Sequence, residues 1–204
     1  MDLANFGKKG SSFKLQSDKE QLTHRVGEPV EEVAKKLYHA AMQVENLNYR
    51  AAFLLSIMCA RRIREIRQLN YEYIDFTHHV IKARKETTKT NVQEQYPLPV
   101  EVKEALYVDT KKTGRIFTFW DTTFHDNYKK NVVNKSNIKI VQGEKITSHD
   151  NRTLFLSIGR RKFPYELVDK ALSHKQGTIA EIYTVYEENE LNKVYTSYWE
   201  MLRA

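Results

Sequence analysis

Cysteine is almost missing from this chain. Cys59 is the only one among 204 residues, which excludes an internal disulfide and any cysteine-rich zinc site. It lies within the apolar run Phe53-Leu-Leu-Ser-Ile-Met-Cys-Ala60 and reads as a core residue rather than a reactive one. With four prolines and seven glycines, the composition is neither collagen-like nor low in complexity. No stretch of sequence is long and apolar enough to span a membrane, and the first residues lack the apolar centre of a signal peptide. The expected setting is therefore a reducing, cytoplasmic one, with no membrane partner.

The charge is of one prevailing sign. Lys and Arg number 33 against 26 Asp and Glu, a formal net charge of +7, and a basic surface favours polyanions through phosphate neutralisation and counterion release. Hydrophobic residues at 41% are enough for a packed core, and the length suits one domain or a domain with an appended arm.

Residues 1–28 include Gly7-Lys-Lys-Gly-Ser-Ser12 without helical periodicity and read as a flexible extension or linker, leaving 29–204 as the domain proper. Pro29 suits a first helical turn, Glu31 and Glu32 complement the positive helix end, and Val30, Val33, Leu37, Ala40 and Ala41 share one face. Tyr49 to Ala60 predicts a buried helix, and Ile63, Ile66 and Leu69 a short amphipathic one, followed by a loop from Asn70 to Asp75. His79–Arg84 and Val92–Leu98 have strand character, with polar Glu86–Asn91 as a hairpin tip. Further helices are expected over Val100–Tyr107, from Asp121 to about Val133, after Thr147 or Ser148, and from Pro164 to Leu172. Ile179, Ile182 and Tyr186 mark another apolar face, and Leu191 to Leu202 carries Val194, Tyr198 and Trp199 on a last one. The expected fold is mainly α with a small antiparallel β-hairpin.

The last third holds the chemistry. His149 and Arg152 are three residues apart, His174 follows 22 later, and Tyr183 nine beyond that. Cationic and proton-transferring groups followed by an oxygen nucleophile suit a phosphodiester, whose non-bridging oxygens gather charge during attack. Upstream, Arg61, Arg62 and Arg64 crowd one turn, and spacing alone does not choose among them. Carboxylates and histidines show no metal-ligand spacing, so no metal and no cofactor is expected.

Together, Ala60-Arg-Arg62-Ile-Arg-Glu65, Thr88-Lys89-Thr90, His149-Asp-Asn-Arg152, Leu172-Ser-His174 and Tyr183 resemble the active-site pattern of the tyrosine recombinases, the family of phage integrases and chromosome-dimer resolvases. The resemblance spans about residues 30–204. It implies a tyrosine recombinase catalytic fold and a site-specific recombinase that breaks and rejoins double-stranded DNA through a covalent 3′-phosphotyrosine, without metal or ATP. It selects Arg62 and Arg152 to bind the phosphate, His174 to donate to it, His149 as base or phosphate ligand, Lys89 as general acid, and Tyr183, not nearby Tyr186, as nucleophile. It also implies assembly as a tetramer on DNA, accessory DNA-bending proteins, and a bacterial, phage or archaeal host.

This sequence departs from the family pattern at Ala60 with bulky Arg61 after it, where a small glycine precedes the first arginine, at Ser173, and at Asn151 and Thr153. Family members also carry a separate helical core-binding domain upstream; the 28 unpatterned residues here read as the end of an excised fragment or leave that grip to another source. The final segment, Leu191 to Ala204, could dock on a neighbouring protomer or on its own domain. Rival activities are those of a type IB topoisomerase or a telomere resolvase, and a DNA-binding module without catalysis is the rival of another class.

Overall fold

The computed structural model describes residues 22–83, 94–106, 113–172 and 188–204. Its centre is helix α2 (Leu47–Met58), in which every residue from Ala51 to Met58 is buried. Such an all-round apolar helix needs neighbours on every side. It packs against α1 (Val30–Met42), α3 (Ile63–Arg67), α4 (Val100–Leu106), α5 (Asp121–Asn131), α6 (Asp150–Gly159) and α8 (Glu188–Arg203), with α7 (Tyr165–Ala171) packed on α8 and α6. Asn46 starts α2 by accepting a hydrogen bond from the Tyr49 amide at 3.1 Å. On α1 the expected stripe is buried throughout: Val30, Val33, Leu37, Ala40 and Ala41.

The end of α2 turns sharply. Cys59 closes the helix and Ala60 takes the left-handed conformation, φ +52°. This is the position where the family pattern has glycine, and the positive φ is the physical reason for that preference. The turn directs Arg61 inward and starts α3 at Arg62.

The sheet has three antiparallel strands rather than the two of a hairpin. They lie in the order β1 (Ile74–Asp75), β2 (Val80–Ala83), β3 (Glu94–Pro97), with Ile74 opposite Ile81 and Ile81 opposite Tyr96. Asn70–Asp75, expected as a loop, forms a 3-10 turn over Tyr71–Tyr73 and then β1. Two residues are too few to display alternation; buried Ile74 and its pairing with β2 decide the strand. The hairpin tip expected at Glu86–Asn91 lies outside the described residues.

Of the expected extension 1–28, residues 22–28 are described. Leu22 is buried, Val26 bridges Ile140, the Gly27 amide donates to Lys139 O at 2.8 Å and the Val141 amide to Arg25 O at 3.0 Å. Residues 22–28 therefore belong to the folded body, held by two apolar anchors four residues apart in a polar stretch.

Helix α8 packs on its own domain. Val194, Tyr195, Tyr198, Trp199 and Leu202 are buried, and Trp199 Nε1 donates to Met58 O at 2.7 Å. Arg203 donates through Nε and Nη2 to the two Glu101 oxygens at 2.7 and 3.0 Å, while Tyr38 OH donates to the same carboxylate at 2.9 Å. Among the described residues, no helix is long and apolar enough to cross a membrane.

Candidate active site

Two arginines distant in sequence meet at the junction of α2, α3 and α6. Arg62 caps α3 and its Nη1 donates to Glu65 Oε1 at 3.0 Å, while the Arg62 amide donates to Glu65 Oε2 at 3.1 Å. Glu65 thereby closes the first turn and aligns the guanidinium. Arg152 enters from α6, buried, and donates to Ala60 O at 2.9 Å and to Leu172 O at 2.7 Å.

Electrostatics tie these groups together. Burial, followed by the like charges of Arg62 and Arg61, pushes the Arg152 guanidinium down from 12.5 to about 9, which leaves it cationic at neutral pH. Burial alone would raise the Glu65 carboxyl, but Arg61, Arg152 and Arg62 outweigh it and hold Glu65 below its ordinary value, fully ionised. One carboxylate thus stands among three guanidinium groups. Such a cluster has a surplus of positive charge that an anion would relieve, and planar guanidinium forks suit phosphate oxygens.

Arg61 separates from Arg62 by burial, a distinction the sequence did not carry. It donates to Cys59 O at 3.2 Å, to Ala171 O at 3.0 Å and to Tyr195 OH at 2.6 Å, and lies 4.0 Å from the Tyr96 ring centre. Tyr195 in turn donates to Ala171 O. Burial pushes the Tyr195 phenol up to about 12 against the pull of Arg61, so it remains a protonated donor. Arg61 and Tyr195 therefore clamp the end of α7, whose next carbonyl, Leu172 O, holds Arg152. Arg64 is exposed.

The turn leading into α6 is anchored at almost every residue. The Thr147 amide and hydroxyl donate to Asp150 Oδ2 at 2.7 and 3.0 Å, but neither Thr147 nor Ser148 caps α6 as expected: the N-cap is His149, without a side-chain cap bond. Asp150 is also paired with Arg25, a contact from the segment that had read as linker. Tyr128 OH donates to Asn151 Oδ1 at 2.8 Å, and Asn151 Nδ2 to Ser56 Oγ at 2.9 Å, all three residues being buried. Ser148 Oγ lies 3.0 Å from His125 Nδ1. Asn151, a departure from the family pattern, here joins α5, α6 and α2. His149, within this anchored turn, is exposed and lines a depression with His24, Arg25, Glu144, Thr147, Asp150 and Thr153.

The structure thus brings Arg62 and Arg152 together and places His149 one helical turn before Arg152. Lys89, His174 and Tyr183, like Tyr186, lie outside the described residues. Cys59 is buried and its thiol is pushed up to about 12 by burial, so it stays protonated in the core as expected.

A mainly helical domain with a small antiparallel sheet and a paired-arginine site defines the class to compare. The model of the phage integrase family matches residues 30–190, and the chain belongs to that family, the tyrosine recombinases. Among solved structures, the integrase from mycobacterium phage Brujita superposes with a TM-score of 0.61 at 20% identity, covering 83% of this chain and 57% of that one. The XerA recombinase gives 0.54 at 20% identity, covering 80% and 62%. These likenesses are of fold, and the chain spans less than two thirds of either structure. No curated protein compared with the chain matches it.

Proposed function

We propose that this chain is the catalytic part of a site-specific DNA recombinase, an integrase that cleaves and rejoins DNA strands through a covalent 3′-phosphotyrosine. The observation that carries the reading is the meeting of Arg62 and Arg152 around one ionised carboxylate, each guanidinium aligned by side-chain or carbonyl partners. Attack on a phosphodiester spreads negative charge over its non-bridging oxygens, and fixed cations in a partly dry site stabilise that charge more than the ground state.

In this reading the Tyr183 phenol oxygen forms the new bond to phosphorus as the bond to the 5′-oxygen breaks. His149 takes the phenol proton, Lys89 supplies a proton to the departing 5′-oxygen, and His174 donates to the phosphate. The phosphotyrosine conserves the energy of the broken ester, so a 5′-hydroxyl reverses the step without ATP or a metal. Double-stranded DNA is the partner, with assembly as a tetramer on it and bending proteins in support. Because the apolar face of α8 is buried on its own domain, contacts between protomers would draw on its outer face, with Lys193, Thr196 and Glu200 exposed, or on other surfaces.

Covalent trapping tests the reading. The protein is incubated with nicked and supercoiled DNA and denatured in detergent, with Tyr183→Phe alongside. The expected result is a protein–DNA adduct that the Phe variant does not form. An adduct that persists would move the nucleophile to another residue, Tyr186 first. Relaxed circles without recombinant products would instead indicate topoisomerase action.

A further inference from the structure

Trp120 is 73% exposed, well beyond the next large apolar side chain among the described residues, Tyr165 at 53%. Its backbone is nonetheless rigidly held. Phe117 and Phe124 are buried on either side, and neighbouring Phe119 stacks on Tyr49 with ring centres 5.2 Å apart. The preceding stretch is stitched to the end of α3 by Ile116 N to Leu69 O at 3.1 Å and Tyr71 N to Gly114 O at 3.0 Å. The indole is therefore presented outward by a fixed scaffold rather than by a loose loop.

It is also paired with a cation. The Arg67 guanidinium lies 5.6 Å from the indole centre, and Asp121 holds its Nη1 at 2.5 Å. Arg64, three residues earlier on α3, is exposed on the same side. Arg64, Arg67 and Asp121 leave this patch net positive. Helix α3 follows directly on its N-cap Arg62, so Arg67 and Arg62 lie at opposite ends of one short helix, roughly 8 Å apart along its axis.

We propose that Trp120, with Arg67 and Arg64, is a duplex-DNA contact flanking the arginine cluster, the indole meeting base edges or sugar while the arginines meet phosphate. A rigid aromatic flanked by guanidinium groups offers an apolar surface for sugar or base edge and charge for the backbone, and of these only a base-edge contact carries sequence preference. The proposal rests on the DNA-directed reading above and assigns within it a contact apart from the chemical step.

Only two tryptophans are present, and Trp199 is buried, so acrylamide quenching of the wild-type protein reports mainly on Trp120. Adding a thirty-base-pair duplex of arbitrary sequence at low salt should shield that fluorescence from acrylamide. Trp120→Ala should weaken duplex binding about tenfold, and Arg67→Ala should reduce the salt dependence by about one ion, with covalent trapping on saturating DNA retained in both. Trp120 remaining fully accessible while gel shift shows the duplex bound would overturn the proposal and leave the recombinase reading intact. Shielding that grows with protein concentration without DNA would assign the patch to contact between copies and overturn it as well. No duplex binding at low salt would overturn the proposal, and covalent trapping would then decide the recombinase reading by itself.

Discussion

Ala60 is the residue on which the geometry of the site turns. Its φ of +52° costs an alanine about 1–2 kcal/mol relative to the right-handed region, a cost that glycine escapes while losing about 0.5–1 kcal/mol through the freedom of its unfolded chain. Ala60→Gly should therefore stabilise the protein slightly, by about 0.5–1 kcal/mol, raising the thermal midpoint by about 1–3 °C in calorimetry. The two neighbouring arginines should separate in experiment as they do in space. If Arg62 binds the phosphate as proposed, Arg62→Ala should lower cleavage roughly 10²- to 10³-fold. Arg61→Leu leaves Cys59 O and the Tyr195 hydroxyl oxygen without the donor they have from Arg61 and removes one of two donors to Ala171 O, so the main loss should appear in unfolding free energy, about 1–3 kcal/mol by denaturant titration.

At the scale of elements, the turn before α6 is positioned by polar contacts from three directions: residues 22–28, α5 and α2. Tyr128 on α5, Asn151 on α6 and Ser56 on α2 form a buried chain of hydrogen bonds. Low surrounding polarity makes each member costly to remove singly. Tyr128→Phe and Asn151→Ala should each destabilise by about 1–3 kcal/mol, and their double mutant should fall short of the sum by about 1 kcal/mol. Additive effects in a denaturation cycle would mean that the two side chains act independently. Gly159 matters to the next element for a different reason: a Cβ there would lie 3.0 Å from Val168 Cγ1. This lets α7 pack closely enough for its terminal carbonyls to reach Arg61 and Arg152.

For the whole molecule, the carboxylates that join distant parts set the acid limit. Burial raises Glu101 and Glu65, but Arg203 with Tyr38, and Arg61 with Arg152, outweigh it, so both carboxyls titrate below the ordinary 4.5. For groups lowered in this way, the stabilising contribution is complete above 4.5 and vanishes as pH falls through the lowered native values. Stability should hold flat from neutrality to about pH 5 and then decline, and Glu101→Gln should flatten that decline while loosening α8. Thermal unfolding followed from pH 7 to pH 3 measures both.

Much of this molecule is decided by local pattern, which is why the sequence reads well in places. The apolar stripe of α1, the all-apolar α2 and the face of α8 carry their burial in periodicity, because a helix repeats its geometry every few residues. The ordered motifs from Arg62 to Arg152 carry the family, because one shared fold brings particular side chains together from a fixed order along the chain. Tertiary contacts alone decided the rest. Spacing could not distinguish Arg61 from Arg62, since their roles part only when the left-handed turn at Ala60 sends one under the Tyr195 hydroxyl and the other to Glu65. Residues 22–28 held too few apolar positions to signal a folded segment, and they join the body through backbone pairing and the Arg25–Asp150 contact. The two-residue β1 exists only because β2 is beside it. Docking of α8 on its own domain depended on Met58 O and Glu101 being within reach, which periodicity cannot express, because a stripe says that a face is covered and not by what.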